Sequence, residues 1–355
     1  MRLDNNILRI NIGIPINIYS HQCYLFAGIC KIYFCSILLY GRIFLTFDVK
    51  IAVVSHIVLD CIENAESSES TKSLGGPACY CSLTAKNLGF EVILATRVGR
   101  DFPQDSMNSM RNDGLIIKKE QVTESPTTRF KIILNRDCRE LFLISRCSPL
   151  TLDDVEKIQT DSWLVSPVID EVPAEILAAI VKDRGRKNFV MLDPQGYMRV
   201  VNLSSGRISL LDNLFALDLS GITAIKADKG ELAALTGGLE GVEGMQYLQS
   251  TKGIKFVIFN DENRTIHLLH NKIHYWIKLR DIKTPDSTGA GDILSAAFSC
   301  TYLKENDPLW AICFGAGAVR AALETKLIGL NKLPSKAMIE QNASYYYGTI
   351  EFQRL

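Results

Sequence analysis

The sequence predicts a three-layer α/β fold: a mostly parallel sheet with helices on both faces, plus a small β lid. Three observations predict it. Short apolar runs alternate with helical segments from Lys50 onward, the pattern of strands joined by crossovers. The first run, Lys50-Ile-Ala-Val-Val-Ser55, is apolar almost throughout, as a strand covered on both faces must be. A β-rich pair, 129–135 and 139–144, flanks Arg136-Asp137 and reads as a hairpin added to that repeat.

Taken in order, 50–55 is a strand, 76–88 a helix and 90–96 a strand. Residues 103–113 form a helix that stops at Gly114, a residue suited to a left-handed cap. After the hairpin come strand 163–165, helix 173–182, and strands 189–193 and 222–227. Helix 230–235 and strand 256–260 follow. The runs 265–269 and 273–279 are further short strands. No internal repeat or low-complexity tract interrupts residues 48–355, which suit one large domain with a lid from about 60–75 and 127–147.

Lys+Arg and Asp+Glu both number 39, so the formal net charge is +0 and a nucleic-acid footprint is excluded. The 10 cysteines show no CxxC pair, which leaves zinc ribbons and thioredoxin chemistry unsupported. They read as reduced thiols of a cytoplasmic protein, although Cys138 and Cys147 flank the hairpin and could pair. His267, His270 and His274 lie along two strand-like runs, which rarely bring three rings together, so no metal site is expected there.

Residues 1–47 do not match the rest. The stretch 10–30 has no charged residue, yet Asn11, Pro15, Asn17, Ser20, His21 and Gln22 dilute it below a membrane span. It lacks the compact core of a signal peptide. The segment reads first as the product of a start assigned too far upstream. A partner-binding extension and a membrane anchor are the weaker alternatives.

The glycine motifs carry the chemistry. A Walker loop and a clean G-x-G-x-x-G after a strand are both absent. Gly315-Ala-Gly317-Ala-Val-Arg320 sits in a helix-like run and reads as close helix packing. Gly237-Gly238-Leu-Glu-Gly241 reads as a loop. Pro285-Asp286-Ser-Thr-Gly289-Ala-Gly291-Asp292 is different, because it opens an amphipathic helix with small or apolar residues at 290, 293, 294, 297, 298, 301 and 302. Glycines there let a phosphate approach unpaired first-turn N–H groups. A carboxylate beside that anion needs a reason, and taking a proton from an attacking hydroxyl is one. An ordinary helix start with a first-turn acid is the other reading.

Asp286-Ser-Thr-Gly-Ala-Gly-Asp292 resembles the D-T-x-G-A-G-D signature of the ribokinase-like (PfkB) carbohydrate kinases. Leu74-Gly75-Gly76-Pro-Ala resembles their N-terminal double glycine, and Ile225-Lys226-Ala-Asp228-Lys-Gly-Glu231 their N-x-x-E segment. The resemblance covers roughly residues 49–345. It implies that Asp292 is the catalytic base and that Gly289, Ala290 and Gly291 form an anion hole. It implies that Glu231 organises Mg²⁺ through water, and that Lys226, Asp228 and Asn260 lie at the ATP site. Asp60 would grip the acceptor, with Gly75 and Gly76 as the hinge of the lid.

There are departures. Asp228 stands where the family usually has Asn, Ser287 where it has Thr, and Tyr80 where ribokinases have a sugar-touching Asn. Asn260-Asp-Glu-Asn263 replaces a glycine-containing nucleotide loop. Thr127-Thr-Arg129-Phe and Leu192-Asp-Pro-Gln195-Gly-Tyr-Met-Arg199 are similar to uncharacterised archaeal members of the family and, more weakly, to plant inositol kinases. The implied activity is transfer of the ATP γ-phosphoryl group to a small sugar or cyclic polyol. A nucleoside acceptor and a non-catalytic sensor are the alternatives. Exposed lid edges would invite pairing with a second copy.

Overall fold

Along β1 (Lys50–Val54), Ile51 and Val53 enter one hydrophobic core, and Ala52 and Val54 enter another. That period of two places β1 inside a sheet buried on both faces. The computed structural model describes residues 49–355 apart from 65–69, 135–138, 183–188 and 215. The readings of residues 1–47, of the Arg136-Asp137 turn and of Cys138 with its pairing lie outside these residues.

The chain continues through β2 (Val58–Asn64), β3 (Ser70–Gly75), α1 (Pro77–Asn87), β4 (Glu91–Ala95), β5 (Val98–Gly99), α2 (Gln104–Asn112) and β6 (Val122–Thr123). Then come β7 (Arg129–Leu134), β8 (Arg139–Ser145), β9 (Ser162–Val165), α3 (Ala174–Lys182), β10 (Phe189–Leu192), β11 (Arg199–Val201) and β12 (Ile208–Leu210). β13 (Ala224–Asp228), α4 (Lys229–Thr236), α5 (Gly241–Thr251), β14 (Phe256–Asn260), β15 (Thr265–His270) and β16 (Ile273–Lys278) follow. The last elements are α6 (Ala290–Glu305), α7 (Pro308–Glu324), α8 (Lys336–Tyr347) and β17 (Glu351–Arg354).

Among the described residues the central sheet has the order β17-β16-β15-β14-β13-β10-β9-β1-β4. The six strands from β14 to β4 are parallel, and β15, β16 and β17 extend them antiparallel. Residues of α1, α6 and α7 pack on one face, and residues of α3, α4 and α5 on the other. The predicted three layers are therefore present, in an α/β fold.

Strands β3, β2, β7 and β8 form a separate four-stranded sheet. The 129–144 hairpin thus joins β2 rather than adding to the central sheet. His56, just past β1, marks the departure, with its ring bonded to Thr128 Oγ1 and to the Ser148 carbonyl, both at 3.0 Å. Strand 222–227 shifts to Ala224–Asp228, because the Ile222 N–H is taken by Leu219 in a turn. The Gly315-Ala-Gly317 run does serve helix packing. A Cβ at Gly317 would lie 2.8 Å from the Ile339 carbonyl oxygen and 2.7 Å from the Ala343 nitrogen of α8.

Cys61, Cys79, Cys81, Cys147, Cys300 and Cys313 are free thiols. His267 and His274 meet at 3.0 Å, whereas His270 turns to the Lys255 carbonyl oxygen. No group of three or more His, Cys, Asp or Glu among the described residues is placed to hold a metal. No helix among them is long and apolar enough to cross a membrane.

Candidate active site

The parallel strands deliver their last residues to one edge. Ser55-His56 follows β1, Ser166 follows β9, Asp193 follows β10, and Asp228 and Asn260 end β13 and β14. The crevice outside the carboxyl ends of parallel strands is where α/β sheets take ligands. The N-terminus of α6 reaches this edge. A Cβ at Gly291 would sit 3.1 Å from Lys226 Nζ and 3.9 Å from Asp193 Oδ2.

The loop before α6 is set from below. Asp286 and Thr288 are buried and Ser287 is exposed. Asp286 Oδ1 accepts the Thr288 N–H at 2.8 Å, an Asx turn that brings the chain round to Gly289. Gly289 has φ +79°, the left-handed region. The Tyr80 ring lies where its Cβ would go, at 2.5 Å, so conformation and space both demand glycine. The Ala290 N–H is already taken by the Ser287 carbonyl at 3.2 Å.

This short loop separates two cavities. On one side Thr288, Gly289 and Asp292 line a cavity of about 60 Å³ with Asp60, Gly76, Tyr80, Gln195 and Arg199, capped by Phe130, Ile132 and Leu141 of the small sheet. On the other side Ser287 and Ala290 line a groove of about 620 Å³. Its lining includes the apolar Ile266, Leu279, Ile282, Val319 and Leu323. It also includes Arg264, which pairs with Asp281, and Arg280, Lys283, Asp261 and Asn260. The Asn260 side-chain oxygen is buried and has no hydrogen-bond partner among the described residues.

Behind Gly291 lies a charged cluster. Lys226 donates to Asp193 Oδ2 at 2.9 Å and stands 3.6 Å from Glu231 Oε2. Asp228 and Glu231 cap α4 reciprocally: Asp228 Oδ1 accepts the Glu231 N–H at 2.9 Å, and Glu231 Oε2 accepts the Asp228 N–H at 2.8 Å. Burial pushes the Glu231 carboxyl up to about 7, against the pull of Lys226, with Asp193 and Asp228 adding to the rise. Burial alone would lower Lys226, but Asp193 and Glu231 outweigh it and hold the ammonium charged. One ammonium faces several carboxylates, and it is committed to the nearer one.

Residues 48–332 match the model of the pfkB family carbohydrate kinases. The chain belongs to that family. It is a phosphotransferase with a hydroxyl group as acceptor. Solved structures similar to this pfkB kinase include a pyrophosphate-dependent myo-inositol-1 kinase converted to a myo-inositol-3 kinase. It is 21% identical, with TM-score 0.68, over 84% of this chain and 99% of that one. The nucleoside kinase of Methanocaldococcus jannaschii is 19% identical, with TM-score 0.62, over 83% and 98% of the two chains. A fructokinase of Vibrio cholerae solved with fructose and ADP is 17% identical, with TM-score 0.66, over 83% and 98%. No curated protein sequence matches the chain.

Of the residues singled out in this kinase's sequence, Asp60, Gly76, Gly289 and Asp292 meet at the small cavity. Asn260 and Ala290 line the groove. Gly75 backs Asp60, since a Cβ there would overlap its carboxylate. Lys226, Asp228 and Glu231 stand together behind Gly291 and line neither space. In the sequence Gln195 and Arg199 stand out only as part of the segment 192–199. Arg199 donates to Gln195 Oε1 at 2.9 Å, which holds both side chains at the cavity. The groove cations Arg264, Arg280 and Lys283 carry no sequence signal of their own.

Proposed function

We propose that this kinase transfers the γ-phosphoryl group of ATP to a hydroxyl of a small sugar or cyclic polyol. The observation that carries the reading is the loop 287–292, whose residues divide between two cavities, Ser287 and Ala290 at the groove and Thr288, Gly289 and Asp292 at the small cavity. Phosphoryl transfer asks the protein to position two substrates in line and to neutralise charge between them. A shared wall with N–H groups at a helix start suits that task.

On the acceptor side, Asp292 would take the proton of the attacking hydroxyl, and Asp60, Gln195 and Arg199 would hold the other hydroxyls. The double glycine at 75 and 76 would let the small sheet close as a lid. A cavity of about 60 Å³ has room for a few waters, at about 10–15 Å³ each. That scale favours one small ring over a nucleoside. Tyr80, buried beneath Gly289, further narrows the floor.

On the donor side, the apolar lining residues of the groove suit a base, and its lysine and arginines suit phosphates. The orphaned Asn260 oxygen is an acceptor suited to a donor group on the nucleotide. Glu231 and Asp228 offer hard carboxylate oxygens in local excess over ammonium, which fits Mg²⁺ held largely through water. Bound there, Mg²⁺ would neutralise charge on the donor phosphates. Lys226 would act from behind Gly291, through its pairing with Asp193, rather than as a groove residue.

A donor–acceptor screen tests the reading. ATP and pyrophosphate are each incubated with inositol, hexoses, pentoses and nucleosides, and phosphorylated products are followed by ³¹P NMR. The expected result is an ATP-dependent phosphomonoester with a cyclic polyol or sugar. A nucleoside product, or turnover with pyrophosphate alone, would replace the acceptor or the donor assignment. Tight acceptor binding with no transfer would favour a sensor on this fold.

A further inference from the structure

Lys332 is a lysine with 0% exposure, at the end of the short turn Gly329–Lys332. Its ammonium donates to Asp286 Oδ2 at 2.7 Å and to the Asp286 carbonyl oxygen at 3.1 Å. The Tyr80 ring centroid lies 5.6 Å away, within reach of a cation–π contact. A buried ion pair is a weak source of stability, because apolar replacement is often neutral or better, and a long side chain loses entropy when fixed. The placement of this charge therefore calls for a reason beyond folding.

The partner supplies one. Asp286 opens the loop that ends at Asp292, and its carboxylate is fully engaged. Oδ2 takes Lys332 and the Gly329 N–H at 2.9 Å, and Oδ1 takes the Thr288 N–H at 2.8 Å. Burial alone would raise the Asp286 carboxyl, but Lys332 and these N–H groups outweigh it and hold it ionised. At the other end of the turn, Gly289 is the N-cap of α6 and has no side chain to cap it. The direction in which α6 presents its first N–H groups thus depends on the Asx turn at Asp286, and that turn depends on the cation beneath it.

We propose that Lys332 is a positioning residue for phosphoryl transfer, a tethered cation that fixes the Asp286–Thr288 turn and so aims the backbone of Gly289 and Gly291 at the start of α6. An ammonium among carboxylate and carbonyl oxygens does here what a small free cation would do. Tethering makes it permanent. The role rests on the reading of the loop as an anion hole under the proposed function.

The test compares wild type with Lys332→Met, which keeps the stem and its packing, and Lys332→Ala, which leaves a hole. Misplacement by about 1 Å costs on the order of 10²-fold in rate, so kcat should fall by about that in both, with acceptor KM little changed. Methylammonium chloride should restore part of the rate in Lys332→Ala only. Tetramethylammonium chloride at equal ionic strength, too large for the hole, should not. Amide hydrogen exchange at residues 288–291 provides a readout that needs no turnover. Exchange should quicken in both variants and be slowed again by methylammonium in Lys332→Ala. Wild-type rate and exchange in Lys332→Met would overturn the proposal. So would a slow Lys332→Ala that methylammonium leaves unchanged in both measurements. A wild type that exchanges slowly at 288–291 yet transfers no phosphoryl group would instead sink the kinase reading of the loop, with the exchange data still deciding the role of Lys332.

Discussion

Two buried lysines flank the glycine loop, and they keep different company. Lys332 meets one carboxylate, Asp286, which is also bonded to two backbone N–H groups. Lys226 meets Asp193 at 2.9 Å and Glu231 at 3.6 Å, with Asp228 capping the same helix turn. The first site pairs one ammonium with a carboxylate whose two oxygens both accept hydrogen bonds. The second carries surplus negative charge, which adds to the burial that pushes Glu231 up to about 7. A one-to-one pair suits a fixed support. Surplus carboxylate suits a site completed by a cation that comes and goes with substrate.

The largest effect is expected at Asp292, which lines the small cavity. Asp292→Asn keeps the shape of the side chain but cannot take a proton, so kcat should fall by about 10²–10⁴-fold, with nucleotide binding retained. A variant with more than about a tenth of wild-type kcat, well short of that loss, would remove the base assignment.

Stability should separate the lysines. Removing one partner of a buried pair costs about 3–5 kcal/mol when a charge is left uncompensated. Lys226→Met strands Asp193 and Glu231 together. Lys332→Met leaves Asp286 with its two N–H donors. Urea unfolding should therefore place Lys226→Met well below Lys332→Met. Equal losses would show that the surplus charge at Lys226 has no energetic meaning.

A smaller effect is expected from pH. Burial pushes the Glu231 carboxyl up to about 7 in the folded protein, from an ordinary 4.5. A raised carboxyl favours the folded state below pH 4.5, and that contribution is lost as pH rises through 7. A tenfold change in proton affinity is worth ~1.4 kcal/mol, so the melting temperature of chelator-treated protein should decline measurably across that window. In Glu231→Gln the decline should flatten, and the Mg²⁺ response of the wild type should weaken. A wild-type melting temperature that rises from pH 4.5 to 7 would reverse the sign and refute the account.

Much of this was legible in residue order. The alternation of strands and helices, the Asp286–Asp292 motif and the double glycine at 75 and 76 are local signals, and the structure puts their residues at one edge of the sheet. What was not legible depends on distant packing. Helix α8 (Lys336–Tyr347) buries only Ile339, Ala343 and Tyr346, too thin a stripe to read as an amphipathic helix. β17 (Glu351–Arg354) is an exposed edge strand with no apolar pattern. Lys332 lies 46 residues from the carboxylate it meets, and nothing in its neighbours marks it as buried. Asp228, which stands where the family usually has Asn, is a working helix cap, because either residue type accepts an N–H there.

The smallest effect should come from Ser287, and it tests whether the loop truly partitions two substrates. Ser287 is the exposed member of a buried-exposed-buried run, and it lines only the groove. The turn around it is held by Asp286 and Thr288, so Ser287→Ala should change stability by no more than about 0.5 kcal/mol. A hydroxyl that bonds the donor contributes about 0.5–1.5 kcal/mol, so the KM for the phosphoryl donor should rise by about tenfold at most. The KM for the acceptor should not move, because the side chain faces away from the cavity of Asp60 and Asp292. Steady-state kinetics with each substrate varied in turn checks both halves. An acceptor KM that shifts as much as the donor KM would mean that the two cavities communicate through this position. The wall would then be one site rather than the boundary of two.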